Sequence, residues 1–251
     1  MYIDGELTHE AFGSPPTSTG DVSTAVQELG TLRVGAQTLD EIYARVVHLA
    51  AGVIPGAEGV SITLLHEGQG RTAAATDPLA QDFDDAQYEN GEGPCLHSAR
   101  SGDTVVIEDI GDDQRWPFFA RQAEEDGARS SLSVALPLHE GTGGAFNIYA
   151  RKRKAFHQDS REIAEYLAVF AAAALTNASL YDGAVRLSGQ LEEALHSRAV
   201  IEQAKGIIMG GRRCSDDEAF QILVKLSQDS NRKLRDVAAA LVQEAAPSAA
   251  R

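Results

Sequence analysis

Cysteine is scarce in this sequence, with Cys95 and Cys214 the two thiols in 251 residues. Two cysteines make neither a disulfide framework nor a four-ligand metal centre. His48, His66, His139 and His157 have no metal-ligand spacing either. Long apolar runs are also lacking. The longest, LAVFAAAAL from Leu167 to Leu175, has nine residues, whereas a bilayer crossing needs roughly 20. The opening MYIDGELTHEAFGSPPTSTG has no basic start and no apolar stretch, so no secretory signal is visible. The expectation is a cytoplasmic protein with no membrane partner. Positive charge is the third shortage: 22 Lys and Arg stand against 37 Asp and Glu, a net charge of −15. Such a surface does not grip nucleic acid as a whole.

The charge is unevenly placed. From Asp182 onward there are ten basic and ten acidic residues, so the whole acidic excess lies in residues 1–181. Between Ser197 and Arg235 eight basic residues face five acidic ones. This asymmetry suggests two domains with different partners.

Residues 1–20, rich in Pro, Ser, Thr and Gly, are expected to be disordered. Asp21 can cap a helix through VSTAVQELGTLRV. A second helix fits TLDEIYARVVHLAAGVI, with Leu39, Ile42, Val46 and Leu49 on one face. Short β-leaning runs follow, GVSITLLH, RTAAAT, TVVIED, SLSVALPL and AFNIYA, punctuated by Gly, Asp and Pro. GPCLHSARSG and RWPFFARQAEEDG lie between them as helical or irregular pieces. The pattern predicts an α+β domain over residues 21–181, with an antiparallel sheet flanked by helices.

From Asp159 the period becomes helical. Tyr166, Ala173, Leu180, Leu187, Ala194, Ile201 and Ile208 form one heptad seam, and Ile163, Phe170, Asn177, Ala184 and Leu191 a second. Such seams predict a coiled coil and a homodimer through a long helix. Gly183 and Gly189, each roughly 1 kcal/mol worse than alanine in a helix, predict a bend or break, and Gly210-Gly211 a second one. Residues 182–246 then read as a connecting helix and an all-α three-helix bundle. Ser215 and Glu218 form an S-x-x-E start signal, and Phe220, Leu223 and Leu226 line one face, with Phe220 reading as core. Asn231 is expected to cap the third helix, with Leu234, Val237, Ala238 and Leu241 buried.

The chemistry gathers in IEQAKGIIMGGRRCSDDEAF and NRKLRD. Lys233 is expected in a first helical turn beside Arg232, where a cation meets the positive end of the helix dipole. With Arg235 nearby, that arrangement favours an anion, and phosphate is the obvious one. Gly206 allows close backbone approach, with Lys205 beside it on a surface.

RAVIEQAKGIIM, SDDEAFQILVKLS and NRKLRDVAAALV together resemble the ANTAR domain, the RNA-binding module of bacterial transcription antiterminators. The resemblance implies a three-helix bundle that binds tandem RNA hairpins through exposed loop bases and prevents a terminator from forming. Carried onto this sequence, it implies RNA contacts from Lys205, Arg212, Arg213, Arg232, Lys233 and Arg235, hydrogen bonding by Asn231 and close approach at Gly206. NGEGPCLHSARSGDTVVIEDIGDDQRWPFFA, with GARSSLSVALPL and a helix after AFHQDS, is similar to a GAF domain. That likeness implies a signal-sensing fold and a small-molecule ligand, with no cofactor identified. The pairing of the two resembles a class of actinobacterial regulators. Cys95, His97, Asp109, Arg115 and Trp116 are the candidate pocket residues. Cys95, at a predicted helix start, reads as either an activated thiolate or a packed thiol. The basic run RKRKAF reads as a solvated loop or an accessory contact. Two other functions stay open: a DNA-binding regulator using the bundle, and a Cys-dependent redox enzyme.

Overall fold

The computed structural model describes residues 19–32, 34–138 and 142–245. Most of the segment expected to be disordered, residues 1–18, lies outside the described residues, as does His139. The chain divides into two compact units, residues 1–182 and 183–251.

In the first unit, helices α1 (Thr19–Gly30) and α2 (Leu39–Val53) precede a five-stranded antiparallel sheet. Its strands are β1 (Gly59–His66), β2 (Gln69–Ala75), β3 (Val105–Ile107), β4 (Ser130–Ala135) and β5 (Gly143–Ala150), in the order β2-β1-β5-β4-β3. Helices α3 (Pro78–Asn90), α4 (Pro94–Ser101) and α5 (Pro117–Glu125) lie between β2 and β4 in sequence. Local signals account for the starts: Thr38 and Glu41 form a capping box on α2, and Asp77 caps α3 ahead of Pro78.

The register divides the sheet into two unlike faces. Ile62, Phe146 and Val134 stand in one cross-strand row, and Val60, Ile148 and Leu132 in the next on the same face. These pack with α1, α2 and the first part of α6 (Gln158–Arg212) into the main apolar core. The alternate positions are polar: Ser61, Asn147 and Ser133 share a row, flanked by Thr63, Tyr149 and Ser131. All six are buried, with α3 and α4 packed on the sheet and α5 against α3. Strands buried on both sides read as near-continuous β runs, so the sequence pattern hides this difference.

Helix α6 runs for 55 residues without the breaks expected at Gly183, Gly189 and Gly210-Gly211. Nothing lies within 4 Å of where a Cβ would stand at these glycines, so each is a tolerated weak point with open space beside it. By length and composition α6 could cross a membrane, with an 18-residue window of mean hydropathy 1.4. Ile163, Ala164, Leu167, Ala168, Ala171, Ala172 and Leu175 are instead buried in the core of the first unit.

In the second unit, the end of α6 packs with α7 (Asp216–Ser230) and α8 (Leu234–Ala245). The core is small: Ala204, Ile208, Ala219, Leu223 and Ala238, with partly buried neighbours. Ser215 and Glu218 form the expected capping box. Three local expectations are corrected. Asn231 closes α7 in a left-handed conformation (φ 50°) and does not open α8. Lys233 precedes the first turn of α8, its carbonyl accepting from the Asp236 and Val237 amides. Phe220 stands outside the apolar cluster and is 38% exposed.

Candidate nucleic-acid interface and sensor interior

Two basic turns flank α7. Arg212 ends α6, where a cation suits the helix dipole. Arg213 follows in a left-handed conformation (φ 54°), its amide donating to the Met209 carbonyl at 2.8 Å. At the other end stand Asn231, Arg232 and Lys233. The Arg232 amide donates to the Ser227 carbonyl at 3.1 Å, and its guanidinium to the Asp236 carbonyl at 3.3 Å. Arg212, Arg213, Arg232 and Lys233 are exposed, and none forms an ion pair among the described residues. Fifteen residues of α7 separate the turns, a distance of about 22 Å at 1.5 Å per residue. The cations expected as one constellation are therefore two patches.

Lys205 does not stand free on the surface. The residue is 7% exposed, and its ammonium donates to both Glu202 oxygens at 3.0 Å and approaches Asp216 Oδ1 at 2.7 Å. Those contacts, Asp216 first and then Glu202, raise its pKa. Gly206 is exposed with open space above it. Arg235 pairs with Glu193 and approaches Asp236 at 3.7 Å, so it too is committed within the bundle. Sequence reasoning missed the exposure of Phe220. Its one available signal was position: Phe220 lies four residues from Asp216, on the same flank of α7.

In the first unit the polar sheet face centres on Asp84. Its Oδ1 accepts from Asn147 Nδ2 at 2.9 Å and Tyr149 OH at 2.8 Å, and its Oδ2 from the Thr72 hydroxyl at 2.9 Å. Burial pushes the carboxyl up to about 6, against the downward pull of hydrogen bonds from Ser61, Tyr149, Thr72 and Asn147. Gln87 links the network to α4: its Nε2 donates to Tyr149 OH at 3.1 Å, and its Oε1 accepts the Cys95 amide at 2.8 Å. Gly93 is required here, because a Cβ would stand 2.3 Å from Gln87 Oε1. The Ser131 and Ser133 hydroxyls and Asn147 Oδ1 are buried without a hydrogen-bond partner.

Of the five expected pocket residues, His97, Arg115 and Trp116 come together, and Cys95 and Asp109 stand apart from them. Cys95 is fully buried beside this network, and burial drives its pKa well up, so the thiol is packed and not activated. His97 and Trp116 line an open depression of about 380 Å³ with Glu92, Gly93, Arg100 and Ser101. Arg115 stacks 4.7 Å over the Trp116 ring and chelates Asp113. Asp109 pairs with Arg153 at 3.0 Å. Arg151 and Lys154 of the basic run likewise face Glu58 and Glu108, so RKRKAF is tied down within its own unit. No group of three or more metal-ligating side chains occurs among the described residues.

A GAF domain family model matches residues 36–176, and an ANTAR domain model matches residues 189–242. The chain belongs to the GAF family and carries an ANTAR domain. A GAF domain is a signal-sensing domain and an ANTAR domain an RNA-binding antitermination module, so this pairing is the architecture of a regulator. Among solved structures, the GAF domain is similar in fold to that of a phosphoenolpyruvate-protein phosphotransferase from Coxiella burnetii. That match has 17% identity and a TM-score of 0.50, covering 65% of this chain and 95% of the other. Free methionine-R-sulfoxide reductase from Neisseria meningitidis, solved with its substrate, matches at 15% identity and TM-score 0.51. It covers 67% of this chain and 96% of the other. No curated protein matches the sequence.

Proposed function

We propose that this GAF–ANTAR protein is a cytoplasmic, signal-responsive regulator that binds hairpin loops in nascent leader transcripts and promotes antitermination. The observation that carries this reading is the pair of exposed basic turns, Arg212-Arg213 and Arg232-Lys233, whose cations have no carboxylate partners among the described residues. Free guanidinium and ammonium groups bind phosphate without first breaking an ion pair. Specific RNA readers also stack loop bases on aromatic rings and Arg planes. Phe220 is the one Phe, Tyr or Trp from residue 183 onward, and its exposure supplies such a ring on α7. Asn231 adds hydrogen bonding at the second turn.

Two bundles from a homodimer engage two hairpins, and linkage raises the effective concentration of the second contact. Leu180, Leu187, Leu191 and Leu195 of α6 are all more than half exposed, which supports pairing of this helix with its copy. The GAF ligand, in this reading, is a small polar molecule that meets the buried polar sheet face around Asp84.

The alternatives fit less well. A DNA-reading α7 would bring Asp216, Asp217 and Glu218 to the phosphates first. A redox enzyme needs a reactive thiol, and Cys95 is buried with its pKa raised. The test is binding of the purified protein to a tandem-hairpin RNA and to duplex DNA of matching sequence over a salt series. Tight, loop-dependent RNA binding that R212A/R213A abolishes is the expected result. Equal or tighter DNA binding would replace this reading with a DNA regulator.

A further inference from the structure

Lys205 has three N–H donors, and three carboxylate oxygens lie within 3.0 Å of them: both of Glu202 and Oδ1 of Asp216. The side chain is 9% exposed. One ammonium between two carboxylates makes a local set of net charge −1, which repels phosphate. Glu202 is on α6 with Lys205, but Asp216 opens α7, so the ammonium spans the junction of the two helices. Inside that junction lie Arg212, Arg213, Cys214 and Ser215. Cys214 packs against the bundle core and Ser215 caps α7, but the Arg212-Arg213 turn itself is lightly held: Arg213 sits in the left-handed region with one amide bond to Met209, and glycines at 210 and 211 precede it. Asp216 is itself well placed, because an anion in a first helical turn suits the dipole.

We propose that Lys205 is a positioning residue for RNA binding: it clamps the start of α7 to α6, sets the Arg212-Arg213 turn, and makes no contact with RNA. This rests on the RNA-binding reading above. It reassigns Lys205 from ligand contact to the support of the contact residues.

The test uses the full chain and a tandem-hairpin RNA. Wild type, K205E, D216K and the exchange K205E/D216K are compared for affinity over a salt series, with thermal unfolding and helicity measured alongside. Each single variant weakens binding about tenfold or more, and the exchange returns affinity to within about threefold of wild type, because the pair re-forms with reversed polarity. The salt dependence of the exchange variant matches wild type, since no phosphate contact is lost. An exchange variant with wild-type unfolding and helicity that binds as weakly as K205E, its salt slope reduced by about 1, overturns the proposal. If the exchange variant does not fold, the ¹⁵N-labelled Lys205 ammonium of the wild-type protein decides. Its resonance stays in place on saturation with RNA if the clamp holds, and a large shift overturns the role. Wild-type protein that binds no RNA at any salt overturns the underlying reading and the clamp's purpose with it.

Discussion

In the GAF unit the buried carboxylate of Asp84 is surrounded by neutral donors, whereas in the ANTAR unit the ammonium of Lys205 is surrounded by carboxylates. Neutral hydrogen bonds only partly replace water around a charge, so burial wins at Asp84 and its pKa rises. Opposite charges do the reverse at Lys205 and keep it protonated. The setting differs as well. The GAF sheet has a large apolar core on one face, while the apolar side chains buried in the ANTAR bundle, among the described residues, are five small or medium ones. A large core can tolerate a costly polar interior on its other side. A small bundle depends on caps and ion pairs at its ends.

Core deletions should separate the units most sharply. Phe146→Ala, on the apolar sheet face, is expected to destabilise the GAF unit by about 3–5 kcal/mol. Leu223→Ala should take about 2–5 kcal/mol from the ANTAR unit, enough to melt so small a core. Hydrogen exchange resolved by unit checks this, and equal loss of protection in both units for either variant would break the contrast.

The next effect is pH dependence at Asp84. Its folded pKa of about 6 lies above the ordinary aspartate value of 3.8. The folded state therefore binds the proton more tightly, and stability falls as pH rises from about 4 to 6, by on the order of 3 kcal/mol. Below about 4 the penalty is absent, and above about 6 it is complete. Denaturant unfolding of wild type and Asp84→Asn across pH 4–8 should show curves that diverge in that window. Parallel curves would mean that Asp84 does not titrate there.

Smaller effects come from the helix ends. Ser215→Ala removes the capping box of α7 and should lower ANTAR stability by about 1 kcal/mol. Thermal unfolding of the variant, unchanged from wild type, would refute the dependence on caps. Smallest is Gly206→Ala, where open space predicts a gain of about 0.5–1 kcal/mol. If Gly206 admits the RNA backbone, the same variant should bind RNA more weakly while being more stable. Unchanged affinity would remove Gly206 from the interface.

Much of this molecule was legible along the chain. The change from β-leaning runs to helical period marked the antiparallel sheet and the long helix, and S-x-x-E marked the start of α7. Other features were not. The glycines of α6 read as breaks, yet propensity of about 1 kcal/mol each does not interrupt a helix whose first part is locked into a core. Asn231 read as a helix start because Asn favours caps, but Asn also tolerates the left-handed closing position that it occupies.

The sequence by itself determined the two-domain plan, the acid–base asymmetry and the residue types at both basic turns, because these follow from local pattern and composition. The tertiary structure alone decided which charges are free. Lys205 and Arg235 look like Arg212 and Lys233 in the sequence, but packing brings Asp216 and Glu193 to the first pair. It also decided that Asp84 of α3 meets Asn147 and Tyr149 of β5, more than sixty residues further along the chain. Pairing across strands and helices sets such distances, and no local period encodes them.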